Sequence, residues 1–257
     1  LDWYLYPIVV AAGFLAGFIN TLAGSGSLVT LPLLIFAGLP ANVANGTNRV
    51  AILLQNVVGV ASFRSQKVLD TRRGLLLAAP AIVGAVAGAQ IAVNLDETAM
   101  RRAIGVLMVV MLVVVWVRPK RWLEGKPGGP GRVGWREAAI FFAIGVYGGF
   151  IQAGVGIFLL AGLVLGAGYD LVRANAVKLL IVLCFTVFAL AVFVLNGQVQ
   201  WGVGLVLAAG NMLGAWVAAR VAVRRGAGFV RWLLIAVIVV SAAMLLGGEE
   251  LLRGPTG

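Results

Sequence analysis

The chain has no histidine and a single cysteine, Cys184. Without histidine, the commonest metal ligand and physiological general base is missing. One cysteine can form neither an intrachain disulfide nor a thiolate cluster, and Cys184, inside an apolar run, reads as a small packing residue. Charge is also scarce, at 11% of residues against about 25% in soluble domains. The nine acids all fall at the termini, in loops or at helix starts. No carboxylate is therefore placed to relay protons through an apolar interior. No nucleophile–base pair and no Walker-type phosphate loop is visible, so neither an enzyme nor a nucleotide cofactor is expected, and no metal.

What is abundant is apolar sequence: 61% of residues, with a mean hydropathy of +1.04. Residues 104–117 and 233–246 carry no charge at all. This is an all-α polytopic membrane protein, with room for about eight to ten membrane segments at about 20 residues each. The net charge of +11 would suggest nucleic acid. Its placement argues otherwise, because the basic residues cluster in short loops without interleaved aromatics, the pattern that sets membrane topology. Residues 7–22 lack a basic start and run into a polar motif, so they read as mature chain and not as a signal peptide.

The polar motif is Asn20-Thr21-Leu22-Ala23-Gly24-Ser25-Gly26-Ser27, and after an apolar run comes Ala44-Asn45-Gly46-Thr47-Asn48-Arg49. A reduced copy follows about 130 residues later, as Gln152-Ala153-Gly154-Val155-Gly156 and Ala174-Asn175-Ala176-Val177-Lys178. Three further markers keep the same order. Gly13-xxx-Gly17 matches Gly145-xxx-Gly149, Gly84-xxx-Gly88 matches Gly210-xxx-Gly214, and Asn48 matches Lys178. Small-xxx-small spacing lets membrane helices approach closely. The chain thus divides into a membrane repeat at 1–117, a Pro/Gly- and charge-rich linker at 118–136, and a second repeat at 137–257. Each repeat is expected to hold a broken helical hairpin plus three transmembrane helices. The expected segments are 5–38 broken at 20–27, then 42–63, 74–93 and 103–117. In the second half they are 138–168 broken at 152–156, then 171–195, 201–219 and 232–246.

Loop charge sets the orientation. Residues 64–73, the linker and residues 220–231 are basic and should be cytoplasmic, which leaves both termini outside. The basic loop follows the Asn45 helix in the first half, but its counterpart after the Asn175 helix, 196–200, is uncharged. A charge pattern that swaps sides between copies implies inverted-topology repeats, an architecture that holds substrate near the midplane at interrupted helices.

Arg49 lies about seven residues into its helix, roughly 10 Å deep, where a cation is costly. Asn45, Asn48, Arg49, Ile52 and Asn56 share one face, as do Asn175, Lys178, Val182 and Thr186. In an inverted pair the two cations should approach one central cavity and hold an anion, with snorkelling to an interface as the bland alternative. Gly24, Ser25, Gly26 and Ser27 suit an unwound turn whose serine caps the next helix and whose N–H groups face the anion; Gln152, Gly154 and Gly156 mirror it. Gln55, Gln90 and Asn211 suit interhelical hydrogen bonds. Asp170 looks like an N-cap.

Together these motifs resemble the sulfite exporter TauE/SafE family of membrane permeases, over nearly the whole chain. The resemblance implies a secondary transporter of small sulfur-containing or carboxylated anions, such as sulfite or sulfoacetate, in the bacterial inner membrane. The residues expected at the substrate are those of the two motifs and their faces: Asn20, Thr21, Gly24 to Ser27, Asn45, Asn48, Arg49, Asn56, Gln152, Gly154, Gly156, Asn175 and Lys178. The expected partners are that anion and the lipid bilayer, with a homo-oligomer possible. The alternatives are an anion-selective pore and a scaffold subunit that does not transport. The second copy departs from the first in carrying Val155 and Ile157 where the first has serines.

Overall fold

The structure is a computed structural model that describes residues 5–117 and 134–252. Asp2 and most of the expected linker lie outside the described residues, as do the side chains of Glu249 and Glu250. Among the described residues every regular element is helical. In chain order they are α1 Leu5–Ala23, α2 Ser27–Phe36, α3 Ala41–Ser65, α4 Thr71–Val93, α5 Glu97–Val117, α6 Trp135–Phe150, α7 Val155–Ala161, α8 Leu171–Leu195 and α9 Trp201–Leu252. A π-turn at Gly162–Gly166 prolongs α7.

Local chemistry explains the boundaries. Pro40 precedes α3 as its N-cap. Asp70 caps α4 by accepting the Arg73 N–H, and Asp170 caps α8 by accepting from Val172 and Arg173. Both expected breaks occur, at Gly24–Gly26 and at residues 151–154. The expected serine cap is corrected: the N-cap of α2 is Gly26, and no side chain caps that helix. The expected break at residues 220–231 is narrower than a loop: helix runs up to and beyond Gly226, whose non-helical geometry (φ 72°, ψ −175°) divides α9 into two helices.

Among the described residues, three helices are long and apolar enough to cross a membrane: Thr71–Val93, Leu171–Leu195 and Trp201–Gly226 of α9. The broken segments supply the shorter apolar helices Pro7–Ala23, Ser27–Phe36 and Val155–Gly166. With 10 residues, α2 is about 15 Å long, half the thickness of a hydrocarbon core. At 25 residues α3 has ample length, yet it buries Asn45, Thr47, Asn48, Arg49, Gln55 and Asn56. It trades hydropathy for a polar inner face.

Packing partners are exchanged between the halves. Helix α1 lies on α9 and α6 lies on α4; α3 also packs on α9 and α8 on α4, while α3 and α8 meet centrally. The glycine pairs explain the first two contacts. A Cβ on Gly17 would strike the Asn211 backbone, and one on Gly214 would strike the Phe14 carbonyl. In the other pair, Gly149 lies against Ala85 and Gly88 against Val146. Gly13-xxx-Gly17 thus interdigitates with Gly210-xxx-Gly214, and Gly84-xxx-Gly88 with Gly145-xxx-Gly149.

Candidate functional site

The two helix breaks meet. Gly24 (φ 76°) turns the chain from α1 into α2, and Gly154 (φ 75°) turns it from the α6 end into α7. Both need the left-handed conformation that glycine adopts without cost. A Cβ on Gly24 would collide with the Gly156 backbone, and one on Gly156 with Gly24. The tips therefore cross at backbone contact.

A helix that stops inside the protein leaves its last carbonyls without intrahelical donors, at the negative end of its dipole. Each half of this chain answers with a cation on the other half's broken helix. Lys178 of α8 donates to the Asn20 and Thr21 carbonyls of α1, both at 2.9 Å, and to Asn175 Oδ1 at 2.7 Å. Arg49 of α3 donates to the Gly148 and Gly149 carbonyls of α6 at 3.1 and 2.6 Å. Asn45 sits beside it and donates to the Phe150 carbonyl at 2.8 Å, and the guanidinium lies 4.6 Å from the Phe193 ring centre. Arg49 is 0% and Lys178 1% exposed. Neither snorkels.

Beside the crossing is a cavity to which both halves contribute. Asn20, Ser27 and Asn56 come from the first half and Gln152 and Lys178 from the second, with Ile52, Val155, Gly156, Leu179 and Val182 completing the wall. The space open to the centre of a water molecule is about 10 Å³, enough for about one water. Asn56 gives its amide N–H to the Ile52 carbonyl, and Gln152 gives its amide to Thr186 Oγ1 at 2.7 Å. Both amide oxygens are buried without a partner among the described residues. Because a carboxamide offers donors and an acceptor at its two ends, this lining can turn either to a guest. Asn20 is held in turn by Gln55, which also receives Asn211.

Of the expected site residues, Asn20, Ser27, Asn56, Gln152, Gly156 and Lys178 line this cavity. Arg49 does not; it binds helix carbonyls behind the wall, oriented by Asn45. Asn175 orients Lys178, and Thr21 supplies a capping carbonyl. Asn48 accepts from Thr30 Oγ1 at 2.7 Å and ties α2 to α3. Gly24 and Gly154 build the turns, and Ser25 and Gly26 are buried within the first turn. Leu179 and Val155 were not among the candidates, and Ile52, Val182 and Thr186 were named only as sharing the two polar faces. Thr186 had a signal, since it follows Asn175 by the interval that separates Asn56 from Asn45. Gln55 and Asn211 form their expected interhelical bond, whereas Gln90 is exposed.

The family model described as "Sulfite exporter TauE/SafE" matches residues 9–245. The chain belongs to the sulfite exporter TauE/SafE family. That is a family of membrane permeases, and transport across a membrane is the coarse function this membership gives. The chain is similar to the "Probable membrane transporter protein ORF9" of Sinorhizobium sp, with 29% identity over 96% of this chain and 94% of that protein. It is similar also to the "Probable membrane transporter protein YfcA" of Escherichia coli K12, with 28% identity over 97% and 93%. No solved structure matches it.

Proposed function

We propose that the chain is a secondary transporter that exports a small sulfur-containing or carboxylated anion, such as sulfite or sulfoacetate, across the bacterial inner membrane. The observation that carries this reading is the cavity at the crossed helix breaks. Its one charged lining group is a lysine, Lys178, among neutral amides and a serine. A cation with adjustable amides and no acid suits an anion. In this reading Lys178, Asn20, Ser27, Asn56 and Gln152 touch the anion. Arg49 and Asn45 position the end of α6, and hence Gln152, while Asn48, Asn175, Thr21 and the glycines 24, 26 and 154 hold the frame.

The halves act as inverted-topology repeats, 1–117 and 137–257, joined by a cytoplasmic linker at 118–136 with both termini outside. The reciprocal packing and reciprocal capping of the two halves support this. The cavity is too small for an anion of four or more heavy atoms, so the walls must part to load it, which supports alternating access. Purified protein in liposomes tests the reading. Saturable sulfite or sulfoacetate flux that exchanges with internal anion is expected. Single-channel currents would instead mean a pore, and no flux with no anion-dependent thermal shift would mean a scaffold.

A further inference from the structure

The outer face of the α3–α9 pair is built differently from its counterpart in the other half. The two helices run parallel. Near their starts the Gln200 backbone N–H donates to Thr47 Oγ1 at 2.9 Å, and Gln66 Nε2, just past the end of α3, reaches the carbonyl of Ala219, about two turns before the Gly226 break in α9, at 3.5 Å. Each presents an exposed stripe that is apolar and then ends in arginine: Val57, Ala61 and Arg64 on α3, and Leu213, Trp216 and Arg220 on α9. The Arg220 guanidinium lies 3.9 Å from the Trp216 ring centre, which holds it beside the apolar stripe. Lys67 is exposed at the same end. The ion pairs among the described residues are Arg101–Glu97 and Arg173–Asp170, so none of these three cations is neutralised within them.

Lys67 adds a second observation. Its φ is +59°, and among the described residues it alone has positive φ without being glycine. It closes the end of α3, where the Val68 N–H returns to the Phe63 carbonyl, a position that favours glycine. At the end of α8 the same closure uses Gly197, φ +68°, with the Gln198 N–H returning to the Phe193 carbonyl. The second-half pair, α8 and α4, is tied at its ends by Gln198 Nε2 to the Val93 carbonyl at 3.0 Å. It finishes in Leu195, Gly197 and Asn94, with no cation. The fold can therefore make this junction without charge and without strain.

We propose that the outer face of the α3–α9 pair binds the phosphate of an anionic diacyl phospholipid. Arg64, Lys67 and Arg220 hold the headgroup, and the acyl chains lie along Val57, Ala61, Leu213 and Trp216. Guanidinium groups fork phosphate oxygens, tryptophan suits the interfacial level, and cations at that level draw anionic lipid. The apolar stripes directly beneath the cations fit acyl chains, which a soluble phosphate or an acidic polymer lacks.

The test uses the full chain, reconstituted with phosphatidylcholine alone or with added phosphatidylglycerol, and reads retained lipid and thermal stability. Phosphatidylglycerol should raise the melting temperature and be retained selectively. The exposed double variant Arg64→Gln/Arg220→Gln should lose most of that increment, with lipid affinity down about tenfold or more. Lys67→Gly should melt higher than the parent in phosphatidylcholine, because strain is relieved, yet gain less from phosphatidylglycerol. The proposal is overturned if the two lipids act alike, if the double variant keeps the full increment, or if soluble glycerol phosphate reproduces the shift.

Discussion

Arg49 and Lys178 hold matching stations in the two halves, yet they differ in what else they touch. Both close the last turn of the other half's broken helix. Lys178 does so from the cavity wall with a point charge that can redirect its three hydrogens. Arg49 does so from behind the wall, with a planar fork fixed on two carbonyls and its face on Phe193. Arginine loses less freedom per bond in a fixed geometry, and lysine reorients more readily. The difference suggests a division of labour in which one half supplies the fixed cap and the other supplies a cap that can turn to the anion.

The contrast is broken most completely at the crossing itself, where the halves meet glycine to glycine. Gly24→Val and Gly156→Val should each abolish flux in liposomes. Each new side chain meets the opposing backbone, and at Gly24 it must also adopt φ near +76°. Equal loss in both, with the protein still inserted in the membrane, is the expected result. Normal flux in either would show that the crossing plays no part in transport.

Alanine at the two cations sharpens the comparison. Arg49→Ala removes two charge-assisted hydrogen bonds of about 1.5–3 kcal/mol each, so thermal stability should fall steeply, by roughly 3–5 kcal/mol. Anion affinity of the folded fraction should change by less than about tenfold. Lys178→Ala should cost affinity about ten- to hundred-fold, and Lys178→Arg should be milder. Equal affinity losses at both sites would return Arg49 to the anion. No loss at either would leave the amides alone to bind it.

A smaller effect separates the amides that extend the two broken helices. Gln152→Leu and Asn20→Leu each remove one neutral lining group, worth about 0.5–1.5 kcal/mol. Asn20→Leu also strips a donor from Gln55 and should destabilise the α1–α3–α9 contact further. Anion titration and melting, run together on both variants, distinguish the two costs.

These contrasts lay unevenly within reach of the sequence. The helix breaks were legible because glycine, serine and amides inside lipid-like sequence have few other uses. The cap at Asp170 was legible because an aspartate just before an apolar run suits a helix start, whereas Asp70, which caps α4 in the same way, was read only as part of a basic loop. The partners of Arg49 and Lys178 were not, because a backbone carbonyl has no letter of its own. Any apolar helix that stops inside the protein presents the same acceptors. A buried cation without a visible acid therefore pointed to an anion, when helix ends already satisfy much of it. The break in α9 was half legible. Gly226 does separate two helices, but Arg220, Arg224 and Arg225, which look like loop charge, lie in the helix before it, since arginine and alanine are strong helix formers.

The mildest effects concern the two ends of the molecule, which should fail at opposite pH. At one end the Glu97 carboxylate accepts the Ala41 N–H at 2.7 Å and the Arg101 guanidinium at 3.0 Å. Burial alone would raise its pKa, but those donors together hold it below the ordinary carboxylate value. Its contribution is present above that ordinary value and is lost as pH falls through the lower, folded one. At the other end Tyr169 donates to Asp70 Oδ2 at 2.8 Å. Burial, with Asp70 nearby, pushes its hydroxyl up to about 12. The neutral phenol is the bonded form, so that contribution is complete below the unfolded value near 10 and disappears as pH rises through about 12. Tyr169→Phe should therefore lower the neutral-pH melting temperature by about 2–4 °C for a bond of about 1 kcal/mol, and flatten the alkaline limb of the stability profile. Glu97→Gln should flatten the acid limb and leave the alkaline one unchanged. If either variant altered the limb assigned to the other, the two ends would not be independent closures, and the pH profile would have to arise elsewhere in the chain.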